Sequence, residues 1–199
     1  EDSGADMPGN DTWKNTVLNT HFYTFGSERY LTTKENKQVR NMAAAVAYDQ
    51  IIILVNAEKY GGGGIYNHYT ILTSDNEYSG FLLLHEFGHA FAGLGDEYYT
   101  SEVAYQDIYD VNSEPWQPNL TTLVNFETKW KHMIKDDTPL PTPETAEYAN
   151  SIGIFEGAGY VAKKVYRPFQ DCIMKSRDAK AFCPVCKKSI REMILMTTE

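Results

Sequence analysis

The pattern of apolar and polar positions predicts a helix and then a sheet in the first half of the chain. Between residues 33 and 47, apolar side chains recur at spacings of three and four, which is typical of an amphipathic surface helix. Residues 51–55 form a continuous apolar run, so we expect a strand buried on both faces at the centre of a sheet. Residues 65–73 have mixed polarity and favour an edge strand, and the glycine run 61–64 before them indicates either a flexible linker or a sharp turn or bulge.

The second half of the pattern is mainly helical. Residues 79–92 are apolar almost all round and predict a buried helix, which Gly93 is suited to end in the left-handed conformation. Residues 121–134 repeat apolar side chains every three or four positions and predict another helix. Residues 184–196, which begin with proline, predict a C-terminal helix. Together these elements predict an α+β fold.

Composition and charge narrow the classes of function. The 199 residues, of which 42% are hydrophobic, can bury one substantial core or two subdomains, so we expect a single domain over residues 1–199. The net charge of -9 argues against nucleic acid or an anionic membrane surface as partner. No apolar stretch reaches the roughly 18 residues of a membrane span. The N-terminus of this chain lacks the basic start and apolar segment of a signal peptide.

The three cysteines, Cys172, Cys183 and Cys186, are too few for a disulfide framework. We favour a structural bridge from Cys172 to one member of the pair Cys183 and Cys186. The alternative is a metal or redox role, because a CxxC pair is half of a zinc knuckle, although a second such pair is missing from the sequence.

The candidate catalytic and metal-binding residues lie inside the predicted apolar helix, in the run His85-Glu86-Phe87-Gly88-His89. Histidines four residues apart project from one face of a helix, close enough to bind one zinc ion. Glu86 stands beside them, where a carboxylate can take a proton from a zinc-bound water as general base. Two imidazoles and a carboxylate are costly to bury unless they bind metal or form hydrogen bonds. The motif therefore predicts a zinc hydrolase.

A catalytic zinc normally has a third protein ligand. Because Gly93 can reverse the chain at the helix end and Gly95 adds freedom, we favour Asp96 as this ligand. Glu97 is the alternative ligand. The remaining interpretation is that both carboxylates simply lie at a helix end or on the surface.

Residues 85–98 resemble the M64 metallopeptidases, the igalysins, a metzincin family named for a bacterial IgA-cleaving protease. Ordinary metzincins place two residues between the second histidine and the glycine and end in histidine, whereas this chain has three and ends in Asp96, as igalysins do. Four further segments are similar to the same family, so the resemblance covers nearly the whole chain: residues 24–30, 60–66, 114–116 and 182–186.

The resemblance also implies a fold and supporting residues. Met174 matches the methionine turn that lies under the zinc of metzincins, and Gly93 is the helix-ending glycine next to the metal ligands. The implied architecture is metzincin-like, with a mixed sheet and the active-site helix in an upper subdomain, residues 1–93. A smaller lower subdomain, residues 94–199, would be mostly irregular and helical, and would carry the methionine turn and the C-terminal helix. The first strand and backing helix of metzincins are not recognisable, so they lie upstream of this chain or the domain is a reduced version.

The predicted function is a zinc-dependent endopeptidase with one catalytic zinc ion, cleaving extracellular proteins through a zinc-bound water activated by Glu86. Family resemblance implies secretion or display in a bacterial envelope, with immunoglobulin or other host or mucosal proteins as substrates. We expect the peptide to lie extended along residues 65–73 by strand addition. Two alternatives remain, a non-catalytic zinc-binding module and a zinc hydrolase of non-protein amides or glycans.

Overall fold

The structure is a computed structural model that describes residues 2–99 and 109–198. The chain divides into two compact units, Glu1–Phe91 and Ala92–Glu199, which are described separately. Within the described residues, none of the helices combines the length and the apolar character needed to cross a membrane.

The first unit contains a three-stranded sheet and two helices. In chain order these are α1 (Asn36–Ala43), β1 (Ile52–Val55), β2 (Gly62–Ile65), β3 (Tyr69–Thr73) and α2 (Ser79–Ala92). Strand β3 lies in the middle, where it pairs in parallel with β1 and antiparallel with β2. The sheet supports a core to which Phe22, Leu31 and Ile71 contribute.

The predicted positions of two strands in this sheet are wrong. Strand β1 was expected at the centre, but it lies at one side of the described sheet, and only alternate side chains are buried: Ile52 and Leu54 are 48% and 64% exposed. The segment expected at the edge forms β3, whose five residues are all buried. Its mixed polarity misled the prediction because Thr70 and Thr73 are short enough to be buried in a sheet, each at 0% exposure.

The glycine run is neither a linker nor a turn. Gly62, Gly63 and Gly64 form most of β2 and pair with β3, and the turn comes only afterwards, at residues 66–68, where Asn67 has a φ of 55°. A strand so rich in glycine has little intrinsic stability, so its place depends on close contacts made by its neighbours.

Helix α2 confirms the predicted helix, because it spans Ser79–Ala92 and the following Gly93 has a φ of 61°. Helix α1 is shorter than the predicted 33–47. Val39 is its buried apolar residue, whereas Met42 and Val46, also expected on the apolar stripe, are 52% and 67% exposed.

The second unit contains a β-hairpin and the C-terminal helix, β4 (Phe155–Ala158), β5 (Val161–Arg167) and α3 (Pro184–Thr198). Helix α3 confirms the predicted C-terminal helix. The hairpin is an element that the sequence did not predict, while the remaining described residues of this unit are irregular or helical. The whole chain is nevertheless mixed α+β, as predicted.

The helix predicted at residues 121–134 is wrong. The segment instead contains two short 3-10 turns, Phe126–Thr128 and Lys131–Met133. Leu123 has a φ of 68°, which a right-handed helix cannot accommodate. The apolar repeat has a different origin, because Trp130 is buried between the turns and its Nε1 donates a 2.8 Å hydrogen bond to the Gly153 carbonyl.

Candidate metal centre

His85 and His89 project from the same face of α2, as their spacing predicts. Their Nε2 atoms lie 3.2 Å apart and their rings are nearly perpendicular, at 88°. A tetrahedral zinc ion with bonds of about 2.0–2.1 Å separates its nitrogen ligands by about 3.3–3.4 Å. The Phe81 ring, centred 5.3 Å from the His85 ring, packs against that imidazole. The two imidazoles therefore already have the separation that one zinc ion requires.

The glycines of β2 allow α2 to approach the sheet at the motif. A Cβ on Gly64 would lie 2.2 Å from the Glu86 carbonyl oxygen and 2.6 Å from the His89 Cβ. A Cβ on Gly62 would lie 3.0 Å from the Cγ and Oε1 of Glu86. The Glu86 side chain thus occupies space over β2 that is free only because Gly62 has no side chain.

Asp96 follows the left-handed Gly93 and is buried, at 8% exposure. Asp96 belongs with His85 and His89 to a group of side chains that could hold a metal ion. Two imidazoles and a carboxylate are a donor set that suits zinc. The assignment of His85, His89 and Asp96 as the metal ligands stays a prediction.

Tyr160 is a residue of this site that the sequence did not reveal. Its hydroxyl donates a hydrogen bond to Oδ2 of Asp96 and accepts one of 3.2 Å from the Tyr98 hydroxyl. The Gly159 amide also donates, over 2.8 Å, to the Asp96 carbonyl. Burial is the main cause that raises the pKa of Tyr109, and the negative charge of Asp96 adds to it. Tyr160 lies in the β4–β5 turn, and only recognition of that hairpin could have indicated it.

Glu97, the alternative third ligand, belongs to a different group of side chains. It is fully buried, and one of its carboxylate oxygens clusters with Cys172, Cys183 and Cys186. Burial raises the pKa of the Glu97 carboxyl well above its usual range, and the nearby Cys172 raises it further. The structure therefore separates the two carboxylates that the sequence left as alternatives.

The expected disulfide from Cys172 is not present, because all three cysteines are free. The Sγ atoms of Cys172 and Cys186 lie 3.8 Å apart, whereas a disulfide requires about 2.05 Å.

Met174 lies in a tight turn, as the implied methionine turn requires. Its side chain is fully buried, and its carbonyl accepts a 2.8 Å hydrogen bond from the Glu97 amide. The turn closes through the Cys172 carbonyl, which accepts hydrogen bonds from the amides of Lys175 and Ser176 at 2.8 and 3.0 Å. The assignment of Met174 as a residue beneath the metal stays a prediction.

The pattern is typical of metal-dependent hydrolases: two histidines and a glutamate lie on one helix, and an aspartate follows the glycine that ends it. A model of the family described as IgA Peptidase M64 matches residues 1–148 and 144–194. The chain therefore belongs to the IgA peptidase M64 family, which confirms the resemblance, and it is a peptidase by family. A comparison with curated proteins finds no match.

Proposed function

We propose that this protein is a zinc-dependent endopeptidase of metzincin type, with His85, His89 and Asp96 as metal ligands and Glu86 as general base. The observation that carries the proposal is the 3.2 Å separation of the two histidine Nε2 atoms on the helix that also bears Glu86. A structural site has no use for a base beside an open coordination position, so the intact Glu86 favours catalysis over simple metal binding.

Zinc is the metal that best suits these donors. Imidazole nitrogen and carboxylate oxygen in a set of three leave one position of a tetrahedral ion for water or substrate. The Tyr160 hydroxyl donates a hydrogen bond to Oδ2 of Asp96, which restrains the plane of the carboxylate. Tyr160 is thus a positioning residue for this ligand.

When bound, zinc supplies Lewis-acid polarisation of the attacking water and of the scissile carbonyl. The Glu86 carboxylate accepts a proton from that water as its oxygen attacks the carbonyl carbon. Glu86 then donates the proton to the amide nitrogen that leaves as an amine. The absence of a side chain on Gly62 leaves the Glu86 carboxylate the space that it occupies over β2.

The peptide substrate is better placed along β2 than along the buried β3. The amide of Gly62 already donates to the Arg29 carbonyl, and its own carbonyl accepts from Leu31, at 3.2 and 3.1 Å. Backbone groups face the same edge at every second residue, so Gly64 presents the next outward position. Gly64 and Ile65 form the half-exposed end of β2, where an extended peptide can add as a strand.

The family description names IgA, and we propose extracellular proteins as substrates, with immunoglobulin or other host or mucosal proteins as the first to examine. An enzyme with such substrates acts after secretion or from the bacterial envelope.

The test compares the wild-type protein with the Glu86→Gln variant, which keeps the size of the side chain but not its basicity. Both proteins are analysed for zinc and incubated with denatured casein and with immunoglobulin. We expect equal zinc content and cleavage by the wild type alone. Zinc binding without any Glu86-dependent cleavage would contradict the proposal and favour a non-catalytic zinc module.

A further inference from the structure

A second group of metal-binding side chains lies within the unit Ala92–Glu199. The thiols of Cys172, Cys183 and Cys186 and one carboxylate oxygen of Glu97 all lie within 4.8 Å of one another. Each of the four residues is at most 3% exposed. They come from three parts of the chain, namely the segment after Gly93, the methionine turn and the start of α3.

Distances within this group match a tetrahedral sulfur site. A zinc ion with bonds of about 2.3 Å to sulfur separates two thiolate ligands by about 3.8 Å. The Sγ atoms of Cys172 and Cys186 are 3.8 Å apart. The Cys186 thiol also contacts Oε1 of Glu97, at 3.1 Å, so the carboxylate points into the same space.

Backbone amides around the sulfurs are arranged to stabilise thiolates. The Cys183 amide points at the Cys172 sulfur over 3.2 Å, and the Cys186 amide points at the Cys183 sulfur over 3.5 Å. Cys183 immediately precedes Pro184, the first residue of α3, so a CxxC pair opens the helix. Amides directed at sulfur, with a CxxC spacing, stabilise the thiolate form that a metal requires.

Glu97 supplies an independent indication of a ligand. Its Oε1 accepts a 2.9 Å hydrogen bond from the side-chain amide of Asn119, but Oε2 is buried and has no hydrogen-bond partner among the residues that the structure describes. A buried carboxylate oxygen without a partner is costly unless a cation compensates it. A disulfide between two of the cysteines would leave that oxygen as it is, whereas a metal ion at the centre of the group supplies the missing positive charge.

Charges around the group also suit a metal. Three thiolates and one carboxylate bring four negative charges, of which a divalent ion neutralises half. The fully buried Arg167 and the half-buried Lys175 both interact electrostatically with Glu97. Because Arg167 also pairs with Glu144, these two cations offset part of the charge that remains.

We propose that Cys172, Cys183, Cys186 and Glu97 bind a second, structural zinc ion. Four protein ligands close the coordination sphere, which is the mark of a structural site, and thiolates select zinc among the common divalent ions. On binding, the thiol protons and the proton of the Glu97 carboxyl pass to solvent, and the four side chains coordinate the ion. The site would join α3 and the methionine turn to the segment that carries Asp96.

The first experiment removes the histidine site and examines what remains. The His85→Ala/His89→Ala variant is purified without chelators and analysed by elemental mass spectrometry and zinc X-ray absorption. We expect two zinc ions per chain in the wild type and one in the variant, with zinc–sulfur scattering at about 2.3 Å. A variant without zinc, or with zinc that has no sulfur neighbours, would overturn the proposal.

A second experiment removes one sulfur. Cys183→Ser should lower the zinc content of the otherwise intact chain by one ion. Ser189→Ala, a buried change on the helix that follows Cys183, should leave the zinc content unchanged. Equal zinc content in Cys183→Ser and wild type would contradict the assignment. If Cys183→Ser does not fold, the zinc content and zinc–sulfur scattering of the His85→Ala/His89→Ala variant decide whether the sulfur site exists. Intact mass of the unreduced wild type showing a Cys172–Cys186 bond would also refute the site.

Failure here is distinct from failure of the proposed peptidase function. The sulfur site is read from zinc stoichiometry and sulfur scattering in a protein without the histidine pair, whereas the peptidase function is read from Glu86-dependent cleavage. Either result can be positive while the other is negative.

Discussion

Replacing Gly64 with alanine tests whether the position of α2 over β2 is what assembles the catalytic motif. The added Cβ would stand 2.2 Å from the Glu86 carbonyl oxygen and 2.6 Å from the His89 Cβ, where contacts under 3.0 Å are essentially never seen. Relief of the shorter contact requires α2 and β2 to separate by roughly 0.8 Å, the difference between 2.2 and 3.0 Å. Both contacted residues belong to the proposed metal and proton-transfer machinery.

We expect two effects of Gly64→Ala. Overpacking of this kind lowers the free energy of unfolding by about 1–3 kcal/mol, because neighbouring groups are forced from their preferred positions. A displacement of catalytic groups by about 1 Å can reduce turnover by about 100-fold, equivalent to roughly 2.7 kcal/mol of transition-state stabilisation. The assays are urea denaturation for stability and cleavage of labelled, denatured casein for kcat/KM, with zinc content measured on the same samples.

Gly80→Ala is the matched control, because Gly80 lies on the same helix and an added Cβ there meets nothing within 4 Å. Alanine in a helix is favoured over glycine by up to about 1 kcal/mol, so this variant should be equally or more stable and fully active. If Gly64→Ala matches Gly80→Ala in stability, zinc content and kcat/KM, close packing of the glycine strand does not position the motif.

Three further predictions address the metal and the core. Tyr160→Phe removes the hydrogen bond to Asp96 and should weaken zinc binding at the catalytic site by about 10–100-fold. The assay is the activity regained during zinc titration of the apoprotein, and the control Tyr48→Phe, at an exposed tyrosine, should have no effect. Trp130→Ala deletes a side chain that is 1% exposed and donates to Gly153, so we expect a loss of about 3–5 kcal/mol in urea denaturation; a loss below 1 kcal/mol would contradict this packing. Removal of the metal by a chelator should lower Tm and abolish cleavage, and added zinc should restore both. The reason is that an ion at 100 times its Kd stabilises the fold by about 2.7 kcal/mol. An unchanged Tm after proven metal loss would refute this stabilisation by metal.

Local features of the structure were predictable from the sequence. The helix that bears His85 and His89 follows from apolar residues around the motif, and its end follows from a glycine suited to a positive φ. The C-terminal helix could be predicted equally well, because proline in its first turn and an apolar stripe are both local signals.

Strand order could not be predicted in the same way. Pairing of Ile53 with Ile71 joins residues 18 positions apart, and an apolar run alone does not reveal whether a strand has one neighbour or two. The glycines of β2 were misinterpreted for a related reason. Their function is to leave space for α2, and this space is defined by residues elsewhere in the chain.

Long-range polar contacts are the part of the candidate site that could not be predicted from the sequence. The hydrogen bond between Tyr160 and Asp96 spans 64 positions, and the contact between Cys186 and Glu97 spans 89. The sequence could propose both Asp96 and Glu97 as ligands, but not distinguish their surroundings. Asn119 illustrates the same limit, because its glycosylation sequon is visible in the sequence, whereas its full burial and its bonds to Gly95 and Glu97 are not.

The adjacency of Asp96 and Glu97 has a consequence for how the enzyme would mature. Asp96 and Glu97, whose carboxylates belong to the two candidate metal groups, are consecutive residues with Cα atoms about 3.8 Å apart. In an oxidising compartment, thiols that have not yet bound zinc are open to cross-linking, and a cross-linked cluster would no longer hold Glu97 in its present place. For an exported enzyme, the order of events would therefore matter: zinc must reach the cysteines before oxidants do, and zinc scarcity would yield inactive enzyme through Glu97, a residue that takes no part in hydrolysis.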